Sequence, residues 1–257
     1  MRSILTTITS SIAAAVLLSI GSATIVHAQA QSTHVMVRAV SNDAKIIGSG
    51  VGGARIVIQD AVTGEVLAEG VQEGGTGSTE QIITMPRARD AAVYDTDGAA
   101  GFLADVAIAE PTFVDVTAYG PLDAEGIMPR GSKRMLLLPG EDVLGDGVIL
   151  ELNGFTVEVQ SVSTTDRTVE VTTRVTMLCG CPTEPGGLWD ADDIRVTARL
   201  VDDGTPVSVQ QLEFAGTAST FKGALTAPRD GAFVLEITAS EAAEGNFGFV
   251  RRHVDVR

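Results

Sequence analysis

Thr168-Val169-Glu170-Val171-Thr172-Thr173-Arg174-Val175-Thr176-Met177 puts Val169, Val171, Val175 and Met177 on one parity and Glu170, Thr172, Arg174 and Thr176 on the other. A strand sends successive side chains to opposite faces, so this stretch reads as a strand with one side in a core and the other in water. The same two-residue period recurs along most of the chain. No stretch beyond the first thirty residues carries a sustained apolar i, i+3, i+4, i+7 pattern with caps, which leaves little room for helix. The class is all-β.

Working outward from that strand, six more follow the same logic in the second half, near residues 155–161, 194–201, 206–214, 218–224, 231–239 and 248–256. They are separated by turns such as Asp202-Asp203-Gly204 and Pro228-Arg229-Asp230-Gly231. In the first half, strands are expected at 35–40, 55–59, 65–68, 81–84, 101–107 and 112–118. Leu136-Leu137-Leu138 and Val148-Ile149-Leu150 are candidates for two more. The turn-rich run from Pro121 to Gly147 is the expected boundary, giving antiparallel β-sandwiches over 31–147 and 148–257.

The first thirty residues stand apart. Arg2, an apolar run from Ile12 to Ile20 and the small-x-small sites Val26-His27-Ala28 and Ala28-Gln29-Ala30 form the pattern of an export signal over 1–30. The apolar run is too short and too interrupted by Ser and Thr for a permanent span, and no second run is long enough to cross a bilayer. The expected location is the periplasm of a Gram-negative bacterium, or secretion. No cysteine stands at either cleavage point to carry a lipid.

Composition narrows the partners. Thirty-three acidic against 18 basic residues give a formal charge of −15, and the leader holds Arg2 but no acid. A field of that sign repels phosphates, which argues against nucleic acid and anionic membrane surfaces and favours cations or basic partners.

Two resemblances follow from particular residues. Gly53-Ala54-Arg55-Ile56-Val57-Ile58-Gln59-Asp60, then Thr63-Gly64-Glu65-Val66-Leu67-Ala68-Glu69-Gly70, resembles the opening hairpin of transthyretin-like, carboxypeptidase-regulatory-like β-sandwiches, with Phe113 to Gly120 as a later valine-rich strand. The run from Met85 to Ala100 departs from that pattern as an inserted loop. The second half, closing on Gly231 to Ala239 and a last strand after Glu244-Gly245-Asn246, is similar to bacterial immunoglobulin-like β-sandwiches. Trp189 falls where such folds bury an aromatic residue. Neither resemblance implies an activity.

Chemistry concentrates at Met177-Leu178-Cys179-Gly180-Cys181-Pro182, which holds both cysteines of the chain. Continuing the parity of the strand puts Cys179 and Cys181 on the face of Met177, at the strand's exit from its core. Soft thiolate and thioether ligands favour Cu(I), so Met177, Cys179 and Cys181 are a candidate metal site. A tetrahedral zinc site would need more ligands, and beyond the leader only His34 and His253 are available. Gly180 would also let the chain kink so that the two thiols close a disulfide, whether structural or redox-active.

Other motifs carry less. Asp95-Thr96-Asp97-Gly98 echoes the start of a calcium loop but lacks its later ligands. Asp190, Asp192 and Asp193 cluster after Trp189. Gly74-Gly75-Thr76-Gly77 lacks the lysine and helix of a phosphate loop. No nucleophile with a neighbouring base stands out. The function expected is therefore a non-catalytic exported interaction protein, meeting another exported protein or complex, with Cu(I) carriage or delivery as the alternative.

Overall fold

The computed structural model describes residues 29–125 and 128–257, so all but the last two residues of the leader lie outside the described residues. The first half forms β1 (Gln31–Ser41), β2 (Ala54–Asp60), β3 (Val66–Gln72), β4 (Phe102–Ile108), β5 (Thr112–Tyr119), β6 (Arg130–Leu137) and β7 (Val143–Leu152). They form two sheets, ordered β4-β1-β7 and β3-β2-β5-β6. One core lies between them, filled by Val35, Val37 and Ala39 of β1, Ile56 and Ile58 of β2, Val114 and Val116 of β5, and Leu150 and Leu152 of β7.

Two features depart from a purely antiparallel stack. β7 runs parallel to β1, because the chain crosses from β6 in one sheet to the far side of β1 in the other. Val148, Ile149 and Leu150 thus belong to the first group of sheets, and the chain passes to the second group at Asn153 and Gly154, a few residues beyond the expected boundary at 147/148. The strand expected at 81–84 is instead one wide helical turn over Glu80–Thr84. Ser78 Oγ accepts from the Gln81 amide and the Met85 amide reaches back to the Glu80 carbonyl, so the backbone is satisfied locally while Ile82 is buried.

The second half contains all seven expected strands: β8 (Phe155–Thr165), β9 (Thr168–Met177), β10 (Arg195–Asp202), β11 (Thr205–Phe214), β12 (Thr220–Thr226), β13 (Gly231–Glu241) and β14 (Asn246–Val256). They join as one antiparallel sheet in the order β14-β13-β10-β11-β12-β9-β8. β11 pairs with β10 along most of its length but with β12 only through Glu213 and Phe214, so the sheet turns over at that strand. Its two ends meet: a Cβ on Gly248 of β14 would sit 2.8 Å from the Phe155 carbonyl oxygen of β8, a gap only glycine leaves open. Inside lie Val169, Val171, Val175 and Met177, the parity read from the sequence, with Leu200, Leu235 and Ile237 opposite. Burying side chains of this size stabilises by roughly 1.5–3 kcal/mol each relative to exposure.

Candidate functional site

The junction of the two halves is where the unusual residues gather. Beyond Met177 the chain makes a tight turn, the Gly180 amide donating to the Met177 carbonyl, and its side chains enter different cores. Cys179 and Cys181 pack with Met177 in the second half, whereas Leu178, 1% exposed, enters the core of the first. Gly180 turns the backbone with φ of 79°, and Val51 Cγ1 stands 2.8 Å from where its Cβ would be. No other residue fits there without strain. With the two Cα atoms brought to 5.4 Å, Cys179 and Cys181 form a disulfide.

The three sulfur residues of the candidate copper site are therefore together, buried, and two of them are bonded to each other. A thiolate for soft-metal chemistry arises only on reduction. His34 lies elsewhere, with Nδ1 3.2 Å from Asp142, and His253 is in β14 facing Gln160 and Ser161 of β8 across a groove. Among the described residues no group of three or more His, Cys, Asp and Glu side chains converges closely enough to hold a metal ion.

The weaker motifs take structural roles. Asp95 of the calcium-like run pairs with the buried Arg38 at 2.8 Å. Asp190 accepts from the Asp192 and Gly186 amides, which hold its carboxyl below the ordinary carboxylate value. Trp189 packs against the second core and its Nε1 donates to the Asp43 carbonyl at 2.9 Å, tying that loop to the turn after β1.

That turn is part of a polar lattice across the junction. Asn42 Nδ2 donates to the Glu244 carbonyl at 2.9 Å and to Asn246 Oδ1 at 3.3 Å, and Asn246 Oδ1 also accepts from the Gly154 amide. Arg252 grips both oxygens of Glu125 at 2.7 and 2.6 Å. Ala44 of the first half packs into the second core, reciprocating Leu178.

Between these anchors opens a cleft of about 570 Å³. Ser41, Asp43 and Glu151 line it from the first half and Glu244 from the second, while Ile82, Ile83 and Met85 of the helical turn supply an apolar wall. At its rim Arg87 lies over the Tyr94 ring at 5.6 Å and donates to the Tyr94 hydroxyl. Burial, with the Glu151 charge adding to it, raises the Asp43 carboxyl above its ordinary 3.8. Ser41 is 1% exposed and its Oγ has no hydrogen-bond partner. A buried hydroxyl left unpaired costs about 1–3 kcal/mol.

None of these cleft residues stood out in the sequence. Ser41, Asn42 and Asp43 are common turn residues, and what makes them part of a cleft is a segment two hundred positions away in the chain, around Glu244. The only local sign was the apolar pair Ile82 and Ile83 in a region otherwise rich in polar residues. No helix among the described residues is long and apolar enough to cross a membrane.

The sequence matches no protein-family model and no curated protein. In three dimensions the chain is similar to a DUF3823 family protein from Bacteroides ovatus, with 8% identity, 88% of this chain and 100% of that chain covered, and a TM-score of 0.34. It is also similar to a candidate carbohydrate binding protein from Bacteroides uniformis, with 8% identity, the same coverage and a TM-score of 0.30.

Proposed function

We propose that this chain is an exported, non-catalytic binding protein, and that its ligand site is the cleft at the junction of the two halves. Residues 1–30 act as the export signal to the periplasm, and the halves are a transthyretin-like, carboxypeptidase-regulatory-like sandwich and an immunoglobulin-like one. The protein works beside another exported protein or complex that supplies or accepts the ligand. The observation that carries this reading is the interlock itself. Leu178 and Ala44 are exchanged between the two cores, and Asn42, Asn246 and Trp189 bond across the junction, so the cleft is preformed.

A thermal-shift measurement with a low-molecular-weight periplasmic extract tests the assignment. The extract should raise the Tm of the wild type but not that of Met85→Trp/Glu244→Lys, in which the exposed cleft wall is filled and one acid reversed. Equal shifts in both proteins, or none in either, would sink it.

Cu(I) carriage remains the second reading because Met177, Cys179 and Cys181 share one buried cluster. It applies to the reduced chain. A Cu(I) competition titration should then show one-to-one binding that is absent from Cys179→Ser/Cys181→Ser, and lack of binding by reduced wild type would end it.

A further inference from the structure

All three asparagines of the chain, Asn42, Asn153 and Asn246, gather at the point where the chain crosses from the first half to the second. We propose that Asn153 is a deamidation site held closed by Asn246, so that opening of the joint between the halves is recorded as a covalent change in the link that joins them. The assignment stands whatever the cleft binds. In an Asn-Gly pair the glycine nitrogen, once water or hydroxide has taken its proton, attacks the asparagine Cγ. The new C–N bond closes a five-membered succinimide, and the bond from Cγ to Nδ2 breaks to release ammonia. Water then opens the ring at either carbonyl and leaves aspartate or isoaspartate, with no other reactant consumed.

Asn153 is followed by Gly154, whereas Asn42 and Asn246 are followed by Asp43 and Phe247, whose side chains crowd the attacking nitrogen. A side chain at 154 is barred by the fold: φ there is 145°, and a Cβ would stand 3.0 Å from the Phe247 carbonyl oxygen. The pair therefore cannot be made inert at its glycine, and its restraint comes from the packing around it. The Gly154 amide is buried and donates to Asn246 Oδ1 at 3.0 Å, which withholds the proton that must leave. Asn246, 0% exposed, is itself fixed by Asn42 at 3.3 Å and by donating from Nδ2 to Glu241 at 3.2 Å. Asn153 is exposed, and its Nδ2 faces the Glu244 carbonyl at 3.5 Å. The turn into β14 thus engages both the nucleophile and the leaving group, while the Leu152 carbonyl just before them accepts from the Asn42 amide. Conversion replaces the Nδ2 donor by a carboxylate facing the Glu244 carbonyl. In the isoaspartate product it also adds a methylene to the main chain between β7 and β8, so the joint does not close again as before.

Peptide mapping by mass spectrometry, on protein incubated at mildly alkaline pH, tests this through the mass gain of amide-to-acid conversion and the appearance of isoaspartate at residue 153. We expect the chain unfolded in urea to convert at least about tenfold faster than the native protein, and native Asn246→Ala about tenfold faster than native wild type, the effect of one lost buried hydrogen bond on local opening. Amide exchange at Gly154 should quicken in parallel, with the core amides of β9 unchanged. Asn153→Gln, whose longer side chain would have to close a six-membered ring, should stay unconverted. If native wild type converts as fast as the unfolded chain, Asn246 guards nothing and the proposal fails; that comparison decides alone should Asn246→Ala not fold. A folded Asn246→Ala that reacts at the wild-type rate, or conversion at Asn42 in place of Asn153, would overturn it.

Discussion

Residues 73–101 and 178–194 are both long stretches with few regular elements, yet they are fixed by opposite means. The first is held largely by side chains of the scaffold that reach out to its backbone, with Ile82, Val93 and Ala100 packed on Val40 and Ile46. Arg38 of β1 donates to the Ala99 and Ala100 carbonyls, and the Asp146 carboxylate of β7 accepts from the Val93, Tyr94 and Asp95 amides. The second is held by its own side chains, which reach into the scaffold: Leu178 into one core, Cys179 and Cys181 into the other, Trp189 onto the turn after β1. A segment gripped by its main chain can change many side chains without moving. A segment that supplies its own anchors cannot.

The largest expected effect breaks the second arrangement. Leu178→Ala removes a fully buried side chain and should cost about 2–5 kcal/mol, measured by urea unfolding. A loss below 1 kcal/mol would mean that the loop does not tie the halves together. Next, Asp146→Ala leaves three amides without their acceptor and should cost about 1–3 kcal/mol, with faster amide exchange confined to residues near Val93. Uniform exchange would show that the carboxylate is not the local anchor. Cys179→Ser/Cys181→Ser opens a very small loop, for which the chain-entropy account gives about 1–2 kcal/mol, and the protein should still fold. Failure to fold would make the disulfide the principal clasp rather than Leu178.

The smallest effect concerns pH. The folded Asp43 carboxyl is raised above 3.8 by burial and by Glu151, so the native state holds this proton more tightly than the unfolded chain does. Its contribution is favourable while the group is protonated and is lost as pH rises from about 3.8 through the raised folded value. Asp43→Asn should therefore flatten the stability profile over that window and be the more stable protein above it. A variant whose profile retained the wild-type slope would show that Asp43 is not the titrating group.

What the sequence revealed follows the range of the interactions involved. Most strands of the second half were legible because they bury one parity, as Val169, Val171, Val175 and Met177 do, although β11 buries only Leu212. β6 was visible only at Leu136 and Leu137, since Arg130 to Arg134 lie at a sheet edge largely in solvent and carry no alternation. The turn at Glu80–Thr84 passed for a strand because Ile82 and Ile83 are β-branched, and propensity gave way to local hydrogen bonding and one buried contact. Met177, Cys179 and Cys181 lie in one core cluster, but the turn at Leu178–Gly180 rather than strand parity brings the two cysteines together. The cleft was not legible, because Asn42 meets Glu244, and Asp43 meets Trp189, only through the tertiary fold.

The parallel pairing of β1 with β7 bears on how the chain comes to fold. Gln31 finds its neighbour at Ile108 and Arg38 finds its own at Ile149, so the strand that emerges first has no partner until β4 has followed and is not flanked on both sides until β7 has. Contacts so distant along the chain slow folding. The first half thus closes only once its last strand has arrived.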